Sequence, residues 1–177
     1  MSPELDRLLC EKYPKIFRDR YSDARTTSMR FGFECQDGWF SLIDTLCGLL
    51  VEDYERTKYL YEYAKKSFEE SAASEFSDEW IASRYTAERV EQCRQEMELA
   101  ESLVPVATQV KEKFGGLDFH INYSNGMEKA FNYIHFAHRM SLQTCETCGT
   151  TKDAKPRSGK WIRTLCPACA TADGRPI

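Results

Sequence analysis

Four cysteines toward the C-terminal end fall into two identical steps, Cys145-x-x-Cys148 and, after 17 intervening residues, Cys166-x-x-Cys169. A Cys-x-x-Cys step bends the chain so that two sulfurs face one point. Two such steps at this separation can converge tetrahedrally on a single metal ion, and the spacing is that of a zinc ribbon. Gly149 follows the first pair, where a positive φ is commonly required, and Pro167 stiffens the second turn. The expectation is one structural Zn2+ held by Cys145, Cys148, Cys166 and Cys169. Iron in a rubredoxin-like centre would use the same ligands. Four thiolates close the coordination shell and leave no position for water, and no His-x-Glu element precedes the cysteine pairs. Catalysis at the metal is therefore not expected.

At 177 residues the chain is long enough for one medium domain with a core and a small metal-stapled appendage. No apolar run is long enough to span a bilayer, and Met1-Ser2-Pro3-Glu4-Leu5-Asp6 lacks the basic-then-apolar order of a secretory signal. A reducing cytoplasm is the expected setting, where paired cysteines hold metal more often than they form disulfides. Cys10, Cys35, Cys47 and Cys93 lack ligand spacing and are expected to be small buried groups.

The net charge of −4 conceals an asymmetry. Residues 52–101 carry 14 acidic and 7 basic side chains, whereas residues 145–177 carry 6 basic and 3 acidic. Four thiolates around a divalent ion add about −2, which leaves the ribbon near +1. That argues against tight, purely electrostatic binding to a phosphate backbone.

The periodicities indicate an α+β fold: a mainly helical domain with a long antiparallel helical hairpin and a small β-sheet, over 1–143, with a zinc-ribbon module over 144–177 packed on it. A short helix over 3–13 (Leu5, Leu8, Leu9, Tyr13) is stopped by Pro14. Phe31 to Cys35 alternates as a short strand. Asp37 is the expected N-cap of a long helix whose stripe is Trp39, Leu42, Ile43, Leu46, Cys47, Leu50 and Tyr54. Ser77-Asp78-Glu79 is the expected start of the next helix, which carries Val90, Cys93, Met97, Ala100 and Val104 inward and ends by Pro105. Phe114-Gly115-Gly116 separates two alternating runs, the pattern of a β-hairpin. Asn125 and Glu128 fit a capping box for a last helix running to about Leu142, with Phe131, Ile134, Ala137 and Met140 inward.

Several blocks together resemble a family of small zinc-ribbon proteins encoded largely by bacteriophages and prophages. They are Tyr13-Pro14-Lys15-Ile16-Phe17, then Gly32-Phe33-Glu34-Cys35 with Asp37-Gly38-Trp39-Phe40, and Gln109 through Leu117. The last match runs from Cys145-Glu146-x-Cys148-Gly149 to Gly159-x-Trp161 and Thr164-Leu165-Cys166-x-x-Cys169. The family carries an arginine and a tyrosine where this chain has Asp118 and His120. The resemblance implies a phage or prophage origin and a zinc ribbon, which makes the reducing cytoplasm expected above that of the host. It implies no activity.

No Walker loop, dinucleotide fingerprint, Gly-x-Ser-x-Gly elbow or kinase signature occurs. His135 and His138 lie three apart on one expected helix without a carboxylate beside them, which does not suffice for a second metal site. Glu34, Asp37, Glu112 and His120 would make an enzyme only if one cleft gathered them. Recognition remains. Lys155, Arg157, Lys160, Trp161 and Arg163 collect cations around one indole, a composition that serves base stacking or a protein hot spot. The expected function is that of a non-enzymatic accessory protein that binds a host macromolecule, foremost a host protein, and inhibits or redirects a host enzyme or defence complex. A nucleic-acid-binding factor using the ribbon is the alternative, and no membrane is expected as a partner.

Overall fold

A computed structural model describes residues 1–73, 83–122 and 124–176. The chain divides into two compact units, Met1–Leu50 with Pro105–Ile177, and Val51–Val104. The boundary expected at 143/144 lies inside the first of them.

The first unit opens with α1 (Pro3–Lys12), with proline in its first turn, Glu4 and Asp6 at its positive end and Lys12 at its negative end. Leu9 is buried while Leu8 is exposed. The carboxylate of Asp6 is buried as well, because Arg20 grips it through Nε at 2.9 Å and Nη2 at 2.8 Å. A 3-10 turn, Ser28–Phe31, precedes β1 (Phe33–Glu34) and is capped by Thr27 Oγ1, which accepts from Met29 N. Phe31 thus leaves the expected strand and stands exposed in the turn.

Strand β1 pairs in parallel with β2 (Ala107–Lys113), which pairs antiparallel with β3 (Gly116–Ile121). Lys113 faces Gly116 across the hairpin, so Phe114 and Gly115 form the two-residue turn. Their φ values of 52° and 83° are those of the primed turn that matches the strand twist. Phe17 meets Phe33 edge-on at 5.0 Å, and Ile16, Met29, Val110, Leu117 and Phe119 fill the surrounding core.

Asp37 does not cap the long helix. It lies within a 3-10 turn, Asp37–Trp39, and its Oδ1 accepts from Ser2 N at 2.6 Å. Helix α2 then runs over Phe40–Ala73. Trp39, Ile43, Leu46, Cys47 and Leu50 are buried, as the stripe requires.

Helix α3 (Ala87–Ser102), in the second unit, is capped by Thr86, whose hydroxyl accepts from Arg89 N at 3.3 Å. The start expected at Ser77-Asp78-Glu79 lies outside the described residues. Ala64, Cys93 and Val104 are buried. Tyr63 stacks on Tyr59 and meets Tyr85 edge-on at 5.6 Å.

In the first unit, α4 (Glu128–Ser141) starts after Met127 without a side-chain cap, so the expected Asn125–Glu128 box does not form. Met127, at the cap position, is buried. Its inward face is Ala130, Ala137 and Ser141, with Phe131 turned outward. Small residues let α4 approach β3: Ser141 Oγ accepts from Leu117 N at 2.7 Å and His138 Nδ1 lies 3.0 Å from Leu117 O. A β-carbon on Gly116 would sit 2.5 Å from His138 Cε1.

Candidate metal centre

The first knuckle is set by backbone hydrogen bonds. Gly149 N donates to Cys145 O and Cys145 N donates to Thr150 O, both at 2.8 Å. Gly149 closes the turn with φ 76°, as the sequence leads one to expect. Strands β4 (Lys155–Arg157) and β5 (Arg163–Leu165) then pair antiparallel and deliver Cys166. Cys166 caps a short helix, α5 (Pro167–Ala172), its Sγ accepting from Cys169 N at 3.5 Å, with Pro167 at the helix start. Cys145, Leu165, Cys166 and Ala170 form a small core of their own.

These turns bring the four sulfurs of Cys145, Cys148, Cys166 and Cys169 within 4.8 Å of one another. Cys148 Sγ lies 3.8 Å from Cys166 Sγ. Four sulfurs about 2.3 Å from a central zinc stand about 3.8 Å apart along a tetrahedral edge, whereas a disulfide needs about 2.05 Å. All eight cysteines are free thiols. Among the described residues no other group of three or more His, Cys, Asp or Glu side chains is arranged this way.

The electrostatics also ask for a cation. Burial opposes ionisation of Cys145, yet backbone amides around it bring its thiol down to about 7. Burial and then the neighbouring sulfurs push Cys169 up instead. Like charges this close cannot all form without a compensating ion.

The knuckles are bolted to the rest of the unit. Gly38 N donates to Glu146 O at 2.8 Å and Trp39 Nε1 donates to Thr144 O at 2.8 Å. A β-carbon on Gly38 would lie 2.3 Å from Cys145 O, 2.5 Å from Gly149 N and 2.6 Å from Glu146 O, so only glycine fits. Thr164 Oγ1 donates to Gly115 O at 2.6 Å, joining β5 to the turn of the larger hairpin. Glu146 links three elements, with Oε1 accepting from Gln36 N at 3.1 Å and Oε2 from Arg163 Nε at 3.0 Å.

The five expected macromolecule-contacting residues separate. Lys155, Lys160 and Trp161 are exposed. Arg157 and Arg163 are buried, which corrects their assignment to a binding surface. Arg157 donates to Leu165 O at 2.8 Å and to Pro176 O at 3.3 Å, and Arg163 is taken by Glu146 and Asp173. A basic residue in an amphipathic β-ribbon has one face for solvent and one for the core, and the register chose the core for both.

The four enzyme candidates do not share a cleft. Glu34 and Glu112 border one of about 320 Å³ with Cys35, Gln36 and Trp161. His120 lines another with Thr27 and Thr108, its Nε2 lying 2.9 Å from Asp118 Oδ2, while Asp37 is engaged by Ser2. His135 is exposed, and His138 Nδ1 lies against Leu117 O. Glu146 and Gly38 were missed by sequence reasoning. Their signal was faint: a carboxylate between two paired cysteines, and a glycine just before a buried indole.

No family model matches the chain, and neither a curated protein nor a solved structure matches it.

Proposed function

We propose that this chain is a non-enzymatic accessory protein of phage or prophage origin whose four cysteines hold one structural Zn2+ and whose outer surface binds a host protein. The observation that carries the reading is the convergence of four thiols on one point, with the arginines around them consumed by internal contacts. Such a centre staples the fold and has nothing left for substrate. The second unit supplies the surface: its helices are acidic, and Tyr59, Leu60, Tyr63 and Leu99 stand exposed among the carboxylates. Exposed tyrosines are favoured anchors of protein interfaces. No helix of the described residues is long and apolar enough to cross a membrane. The host cytoplasm is the setting in which thiolates would keep their metal.

Capture of the tagged, zinc-loaded protein from host lysate tests it. A stoichiometric protein partner that is lost in Tyr59→Ser/Tyr63→Ser is expected. Repeated recovery of no stoichiometric partner would remove the reading.

A further inference from the structure

The primed turn of the larger hairpin is built with a residue that its geometry disfavours. Phe114 has φ 52°, the left-handed region that asparagine and glycine occupy readily and a bulky side chain does not. It is also 75 % exposed, so packing does not compensate the conformation. Non-glycine residues held in this region cluster at binding and active sites, where the strain serves the site.

Phe114 is not isolated. Ile162 Cγ2 would lie 3.0 Å from a β-carbon on Gly115, the neighbour of Phe114, and the Thr164–Gly115 hydrogen bond fixes the two hairpins together. The β4–β5 loop thereby sets exposed Ile162 beside the turn, next in sequence to Trp161, which is 54 % exposed. Each exposed ring has its own ammonium: Lys113 Nζ is 5.9 Å from the Phe114 ring centre and Lys160 Nζ is 5.8 Å from that of Trp161.

We propose that this edge, formed by Phe114, Trp161 and Ile162 with Lys113 and Lys160, binds single-stranded nucleic acid. Bases stack on the two rings and the lysines meet the phosphates. Aromatic faces with cations beside them are the composition of sequence-tolerant single-strand binding, and Lys113 reaches the phosphates from its place 3.9 Å from Asp118 Oδ2. The cores of protein interfaces, in contrast, are depleted in lysine. Glu34 and Glu112, on the cleft that Trp161 also borders, keep phosphates to the lysine side. Only two lysines take part, so stacking carries the affinity and the salt dependence is shallow. This site is independent of the protein docking assigned above to the second unit, and either can fail alone.

The test titrates the zinc-loaded full chain with an oligothymidylate of about 15 nucleotides, within the range such sites cover. An abasic oligomer of equal length and polyglutamate serve as parallel probes. Expected is quenching of tryptophan fluorescence by oligothymidylate, absent in Trp161→Phe. The log–log salt slope should lie near −1.4, about 0.7 for each of two phosphates. Phe114→Asn should weaken binding about fivefold or more, the lower end for loss of one stacked base, while asparagine keeps the turn geometry. An unchanged melting temperature or a higher one in that variant confirms that the fold is intact. No binding at about 50 mM salt, equal binding of the abasic oligomer or of polyglutamate, or full affinity in Phe114→Asn would each overturn the proposal.

Discussion

Arg163 donates its Nε to Glu146 Oε2 at 3.0 Å with both side chains closed to solvent, at 9 % and 4 % exposure. Glu146 sits between the cysteines of the first knuckle and Arg163 lies three residues ahead of Cys166. One ion pair therefore ties the two Cys-x-x-Cys steps together before any metal is considered. Removing one partner of a buried pair leaves an uncompensated charge. Glu146→Ala is expected to lose about 3 kcal/mol of stability, at the lower end for buried pairs because Asp173 still reaches Arg163 at 3.3 Å. Denaturant unfolding at fixed free zinc measures it; a loss below about 1 kcal/mol would place the pair with ordinary surface ion pairs.

Gly38 is the point where the long helix's entry touches the knuckle backbone. Gly38→Ala must displace main chain rather than a flexible side chain, and about 2 kcal/mol of destabilisation is expected, with weaker zinc retention against a competing chelator. Gly48→Ala is the control. A β-carbon there meets only Tyr13 Oη at 3.6 Å within α2, so that change is expected to stabilise by up to about 1 kcal/mol. Similar effects from both substitutions would contradict the close approach.

Metal content follows from the thiol geometry. One zinc per chain is expected by elemental analysis, with cobalt substitution giving the absorption of a tetrahedral tetrathiolate. Single Cys→Ser changes at the four positions should abolish stoichiometric retention, whereas Cys47→Ser should not. Thiolate ligands must be deprotonated, so zinc is released as pH falls. In the metal-free chain the sign is the same. Cys145 is depressed to about 7 from 9.0, so the stability it contributes is present above the unfolded thiol range and fades as pH falls through about 7.

Glu112 titrates the other way. Burial, opposed by the hydrogen bond from Gly115 N at 2.6 Å, leaves its carboxyl above the usual range, and Glu146 adds to the shift. A carboxyl raised in the folded state favours folding while protonated, and that contribution is lost as pH rises through the folded value. Glu112→Gln keeps an acceptor for Gly115 and is expected to raise the melting temperature at neutral pH. The difference should shrink as pH falls through the carboxylate range. A difference independent of pH would assign the effect to packing instead.

Much of the architecture was legible from local rules. The stripe from Trp39 to Tyr54 follows the helical period, Gly115 and Gly116 mark the hairpin, and the cysteine spacing anticipates the convergence of the sulfurs. These features depend on neighbours within a few residues, so a single chain carries them openly. Capping was less legible. Asp37 and Asn125 both had cap chemistry, yet Ser2 took the carboxylate of the first and a buried Met127 holds the cap position near the second.

The amino-acid order alone established a paired-cysteine centre, a long amphipathic helix and a glycine-turned hairpin, because spacing and periodicity act over one or two turns of chain. Only the folded arrangement decided that Arg157 and Arg163 are internal struts, that Asp6 and Glu146 are buried, and that Phe114 stands bare in a left-handed turn. A formal charge can be read from a residue's name. Whether that charge meets water, a carboxylate or a carbonyl depends on segments as far apart as Gln36 and Glu146, and no local pattern encodes such a meeting.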